Sequence, residues 1–181
     1  MAIKKTKTFL VLGDRKDFDT YIKIIKQKKF FHNSIFTVKN IDYFSLLANK
    51  IPNIATKEII VFPCFPFEYW DKYIEPKNFK GVYGNKSFYI KFIAFWKKID
   101  KIIRRKYSNH KISYINDPKH LAKDRDKEFT KKLVKKAGVS VPKTFNNKTL
   151  NGVISLLDKG YKLYIKVRYG SMGKGISYLE N

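Results

Sequence analysis

The closing stretch Tyr164-Ile-Lys-Val-Arg-Tyr-Gly-Ser-Met-Gly-Lys-Gly-Ile-Ser177 holds the residues best suited to chemistry. An extended apolar run carries one lysine, Lys166, which reads as buried between Ile165 and Val167. A loop follows, Gly170, Ser171, Met172, Gly173, Lys174 and Gly175, with three glycines and little bulk. Glycines leave a row of unobstructed backbone N–H groups, and such a row can close over phosphates while a nearby lysine supplies positive charge. The loop lies between two strand-like runs and not ahead of a helix, and Gly175 follows Lys174 where a P-loop needs Ser or Thr. A hairpin with a glycine-rich turn accounts for the same residues without a ligand.

Other chemistries find little support. Cys64 is the single cysteine, so an intramolecular disulfide is excluded and a reducing cytoplasm fits. Its apolar setting suits an inert buried thiol. His32, His110 and His120 are far apart in sequence and show no metal-ligand spacing. No apolar run approaches the ~18 residues a membrane helix needs. The apolar run after the basic N-terminus is too short for a signal peptide.

The elements that must position the loop can be read from periodicity. Thr8 to Leu12, Ser34 to Val38 and Glu58 to Phe62 read as strands, joined by helical spacing at Phe18, Tyr21, Ile22 and Ile25 and at Tyr43, Phe44, Leu46 and Leu47. The order β-α-β-α-β predicts a small parallel sheet covered by helices. The uniformly apolar Ile59 to Phe62 predicts a strand buried on both faces. No Gly-x-Gly-x-x-Gly follows the first strand, so a dinucleotide fold is not supported. Gly13-Asp14-Arg15 reads as a plain turn or as the lining of a ligand crevice at that strand's end. Residues 63–86 read as irregular, with aromatics that pack on the core or stack bases. Ser87 to Arg105 reads as a helix with Phe88, Phe92, Phe95, Trp96, Ile99, Ile102 and Ile103 on one face. Ile112 to Ile115 would be a fourth strand. Asp124 to Ala137 reads as a helix with Asp124, Asp126 and Glu128 in its first turn and Gly138 as C-cap. Leu150, Val153, Ile154 and Leu157 mark another helix, closed by Gly160.

Two segments together resemble the ATP-grasp superfamily of ligases. The first runs from Ile115, with an Asn-x-Pro turn at Asn116 to Pro118, the Asp126-Lys127 pair, a helix ending in Ala137-Gly138-Val139, and a strand start at Val141-Pro142-x-Thr144. The second is the Lys166 strand with its Gly loop. Six pieces in order over residues 115–178 are far more specific than any one of them. The Arg-Asp-Lys form and the Gly-Ser-x-Gly-x-Gly loop look closest to ligases of the glutathione-synthetase and ribosomal-protein-modifying type. Val167 departs from the proline that many members carry there. The resemblance implies an α/β chain in two parts. Residues 1–115 would be a small parallel-sheet domain preceding ATP-grasp that helps bind the acceptor. Residues 116–181 would be the first α+β subdomain of a truncated ATP-grasp module. It implies that Lys127 and Lys166 contact ATP and that residues 170–175 cover its phosphates. In the family the magnesium ligands come after the Gly loop. After Asp158 this sequence has one acidic residue, Glu180, so those ligands are expected in a carboxyl-terminal half outside it, carried by the rest of a longer protein or by a second chain, and the chain alone is expected to be inactive.

Composition sets a rival reading. The net charge is +24, divided as +15 over residues 1–115 and +9 over 116–181. Of 39 basic residues only 5 are arginine, the side chain whose fork matches guanine and phosphate. Diffuse lysine charge attracts polyanions without sequence preference. The rival is a basic, non-catalytic nucleic-acid-binding protein.

Overall fold

The computed structural model describes residues 6–16, 18, 20, 23–24, 35–76, 78–145, 149–170 and 175–181. The chain forms two compact units. One comprises Met1–Phe79 and Lys91–Leu121, the other Lys80–Ile90 and Ala122–Asn181. Among the described residues no helix is long and apolar enough to cross a membrane.

The first unit is built on four parallel strands, β1 (Lys7–Gly13), β2 (Phe36–Asp42), β3 (Glu58–Pro63) and β4 (Lys111–Tyr114), in the order β2-β1-β3-β4. The α/β class and parallel sheet read from the sequence are those observed. β1 lies inside the sheet, so Leu10, Val11 and Leu12 are all buried. A parallel sheet with both faces covered calls for such a run. β2 extends to Asp42, beyond Val38, because every residue of β1 from Lys7 to Gly13 finds a partner from Phe36 to Asp42. β3 departs from the expected burial on both faces. Ile59 and Val61 are fully buried, while Ile60 and Phe62 are only half-buried. On that second face Phe62 stacks on Phe9 with ring centroids 6.0 Å apart. The buried Thr8 hydroxyl is satisfied by Thr37 on β2 at 2.8 Å and by Thr56 at 2.7 Å. A buried hydroxyl needs such partners.

Asp42 ends β2 and caps α1 (Tyr43–Leu47), accepting from the Ser45 N–H at 2.8 Å. α1 stops at Asn49, which adopts φ 58°, a left-handed conformation asparagine tolerates at a helix end. Helix α2 (Lys86–Lys106) starts at Asn85, whose Oδ1 accepts from the N–H groups of Ser87 and Phe88. Its predicted apolar stripe is buried throughout, and Lys91, Lys97, Lys98, Lys101 and Arg104 are exposed. Tyr43 meets Phe95 and Trp96 edge-on at 5.3 and 5.8 Å, and its hydroxyl donates to the Cys64 carbonyl at 2.5 Å. Residues 63–86 are more ordered than expected. Phe67–Tyr69 is helical and runs into a wider turn at Trp70–Ile74. Phe65 and Trp70 pack on Phe92, and Tyr69 on Phe95, so these rings serve the core. Of the first predicted helix, Phe18 is helical and buried, while Tyr21, Ile22 and Ile25 lie outside the described residues.

The second unit holds α3 (Lys127–Lys136), α4 (Leu150–Asp158) and an antiparallel pair, β5 (Leu163–Lys166) and β6 (Ile176–Leu179). α3 begins later than expected. Lys123–Arg125 is a separate tight turn, and Asp126 has extended dihedrals, so it precedes the helix instead of joining its first turn. Val141 to Thr144 starts no strand and finds no strand partner among the described residues. The expected stripe of α4 is also largely open. Leu150 and Ile154 are exposed, and Leu156 is the residue that is buried.

Replacing Leu10 by alanine removes apolar contact from the centre of the sheet. We expect a loss of about 2–5 kcal/mol, the range for a buried leucine. Denaturant unfolding followed by tryptophan fluorescence checks it, since Trp70 and Trp96 both report on the first unit. A change under ~1 kcal/mol would place Leu10 outside the core.

Candidate phosphate-binding site

Asp126 organises this part of the second unit. As N-cap of α3 its Oδ1 accepts from the N–H groups of Glu128 at 3.1 Å and Phe129 at 3.2 Å. The same carboxylate takes Arg168 in a fork, Nε to Oδ1 at 2.8 Å and Nη2 to Oδ2 at 2.7 Å. The Arg168 hydrogen bond, followed by the helix N–H groups, outweighs burial and holds the Asp126 carboxyl below its ordinary pKa. The same pairing raises Arg168. One carboxylate thus ties the start of α3 to the residues that follow β5.

Lys127 is placed next to this tie. Its backbone N–H donates to the Arg168 carbonyl at 3.2 Å. Its ammonium donates to the Val167 carbonyl at 2.9 Å and to the Gly170 carbonyl at 2.5 Å. An ammonium has three donors, so one remains. Burial, then the charges of Lys166 and Arg125, lower its pKa. Lys127 and Lys166 therefore lie within electrostatic reach of each other. Lys127 was expected in the first helical turn, and it is the first residue of α3.

Lys166 is exposed, not buried as its apolar neighbours suggested. A two-stranded ribbon has only one face to pack, and Lys166 stands on the other. Its Nζ lies 5.5 Å from the Tyr164 ring centroid. Tyr164 pairs across the strands with Tyr178, rings 5.0 Å apart, and Lys166 pairs with Ile176. The open face of the ribbon is thus two tyrosines, an isoleucine and a lysine. The Tyr178 hydroxyl donates to Glu180 at 2.6 Å, which pushes its pKa up to about 12.

Of the predicted loop, Gly170 and Gly175 are described, and Ser171, Met172, Gly173 and Lys174 lie outside the described residues. The loop's two ends are fixed by contact. The Val167 N–H donates to the Gly175 carbonyl at 3.0 Å, extending the ribbon by one bond. Gly175 has φ +68°, and a Cβ there would sit 2.6 Å from a Val167 methyl. At the other end a Cβ on Gly84, φ +66°, would meet the Gly170 nitrogen at 2.4 Å. Tyr89 stacks on Tyr169 at 4.4 Å with planes 16° apart. The segment 80–90 is therefore part of the site. The sequence reading missed it, together with the roles of Asp126 and Arg168. The only local signal was an aspartate just before a helical run.

The assembled groups can attract and orient an anion with Lys127, Lys166 and Arg125, and offer aromatic faces to a ring. Among the described residues no group of three or more His, Cys, Asp or Glu side chains lies together.

Because the Asp126 pKa is lowered, its stabilisation is complete above the ordinary carboxylate value of ~3.9 and is lost as pH falls through the folded value. Asp126→Ala should cost at least about 1–2 kcal/mol through the lost cap alone. It should also flatten the acid limb of the stability curve. Thermal unfolding between pH ~2 and ~7 measures both. An unchanged acid limb would mean that the carboxylate is not linked to folding.

Comparison of the chain with protein families, with curated proteins and with solved structures finds no match.

Proposed function

We propose that the second unit binds the phosphates of ATP in the manner of the first half of an ATP-grasp module. In that family the activity is ligation, in which ATP converts a carboxylate to an acyl phosphate that an amine or similar nucleophile then attacks. The observation that carries the reading is the Lys127 ammonium, bonded to the carbonyls of Val167 and Gly170 and electrostatically coupled to Lys166. Two lysines separated by 39 positions thus lie within electrostatic reach of each other, Lys127 at the start of the glycine loop. The remaining Lys127 donor and the Lys166 ammonium would take phosphate oxygens, and the tyrosine face of the ribbon would take a ring by stacking. Magnesium bridges phosphates in such transfers, and the described residues supply no cluster to hold it. The reading therefore assigns binding to this chain and assigns no transfer step to it.

Titration calorimetry with ATP tests it. Binding should be weak, and Lys166→Ala and Lys127→Ala should each weaken it about tenfold, or ~1.4 kcal/mol. No steady turnover of ATP is expected from the purified chain. Equal affinity in wild type and both variants overturns the site, and sustained hydrolysis overturns the binding-only assignment.

A second reading, attraction of nucleic acid, is favoured by α3, whose Lys132, Lys135 and Lys136 are exposed and make no ion pair among the described residues. Charge of this diffuse kind makes affinity for unrelated duplexes similar and steeply dependent on salt. Fluorescence anisotropy at several salt concentrations measures it. Strong preference for one sequence at ~0.15 M salt, with affinity near 10⁻⁸ M or tighter, contradicts the non-specific form of this reading.

A further inference from the structure

Open parallel sheets tend to bind ligands beyond the carboxyl ends of their strands, at the point where strand order reverses. Here that point lies between β1 and β3. The chain's own residues occupy it. A Cβ on Gly13 would meet the Cys64 Cβ at 3.3 Å and the Phe18 ring at 3.4 Å. The buried Asp14 carboxylate accepts the Glu68 N–H at 2.9 Å, and the Tyr43 hydroxyl closes on the Cys64 carbonyl. The opening lies instead on the β2 side of β1, as a crevice of about 590 Å³. That volume suits a metabolite-sized molecule.

The lining has a definite chemistry. Its apolar part comes from Phe18, Ile41 and Pro52. Its carboxylate, Asp42, is already engaged by the Ser45 N–H and hydroxyl and by Arg15 Nε at 3.6 Å. Its two cations are not used up. The terminal nitrogens of Arg15 and the ammonium of Lys50 have no hydrogen-bond or ion-pair partner among the described residues, and Arg15 is 81% exposed. A guanidinium held at Nε presents its terminal NH₂ edge outward, and that edge matches a carboxylate with two parallel bonds. Asp42 disfavours a doubly charged phosphate at the same place.

We propose that this crevice binds a small organic carboxylate, its charge on Arg15 and Lys50 and its apolar body against Phe18, Ile41 and Pro52. The site stands on the first unit alone and does not depend on the nucleotide reading. The test uses the full chain, labelled with ¹⁵N, and two probes that differ in charge, N-acetyl-L-leucine and N-acetyl-L-leucinamide. The acid should shift the amides of Asn40 to Ser45 and of Asn49 to Ile51 saturably, in the ~1 mM range expected for a fragment-sized ligand. The neutral amide should not. Arg15→Ala and Lys50→Ala should each weaken the acid about tenfold while leaving the rest of the spectrum in place. The proposal is overturned if the amide binds as well as the acid, if the shifts fall elsewhere, if neither variant weakens binding, or if the acid gives no saturable shift. Titration of the same sample with ATP reports separately on Lys127, Lys166 and Gly175, so failure at one site is told apart from failure at the other.

Discussion

The second unit depends on a single carboxylate. Asp126 stands 42 residues from Arg168 in sequence, and the fork between them joins the start of α3 to the end of β5. Apolar burial adds little to that tie, since β5 buries only Leu163 and α3 buries no residue at all, and the other links to the ribbon's end are the Lys127 hydrogen bonds and the Tyr89–Tyr169 stack. A buried carboxylate is costly unless its oxygens are fully engaged. Here two helix N–H groups and the guanidinium engage them together. The arrangement also sets the direction of Lys127, because the N-cap fixes where the first helical residue lies. Capping, ion pairing and placement of the candidate lysine are one event at one atom group.

The first unit is held differently. Its sheet is stabilised by apolar burial along β1 and by the rings that meet Tyr43 and Phe92. Some of its buried polar groups have specific partners, while the Trp96 indole N–H is buried among rings and has none among the described residues. The Thr8 hydroxyl bridges toward two neighbouring segments, and Asp14 anchors the turn that begins at Phe67. The Tyr107 hydroxyl reaches the Pro52 carbonyl at 2.7 Å, and burial pushes its pKa up to about 12. Such bonds specify register more than they add stability.

Legibility followed the range of the forces involved. The strands of the parallel sheet and helix α2 are written in local periodicity, so Leu10 to Leu12 and the stripe from Phe92 to Ile103 could be read directly. The turn at Trp70–Ile74, whose two end residues are buried, could not, because two prolines and several aromatics look like loop punctuation until a core is present to receive them. At the candidate site Lys127 was placed on its helix by charge order alone. Lys166 was misjudged because its apolar neighbours Ile165 and Val167 say nothing about whether a second layer covers the ribbon. Arg168, Tyr169 and Gly84 were out of reach for another reason. Their partners lie tens of residues away, and no local pattern announces a cross-chain fork or a backbone-to-backbone approach.

That approach has a consequence for the order in which the protein can be made. Gly84 lies against Gly170, and Tyr89 against Tyr169, yet both belong to a short segment lodged within the sequence of the first unit. A ribosome delivering the chain releases residues 80–90 long before their partners exist. The first unit has its last strand once Tyr114 has emerged, while the inserted segment still waits. The second unit therefore forms late, around a strip of chain already anchored on both sides. Vectorial synthesis gives the sheet a head start, and the close approach of Gly84 to Gly170 can form only once Gly170 has emerged.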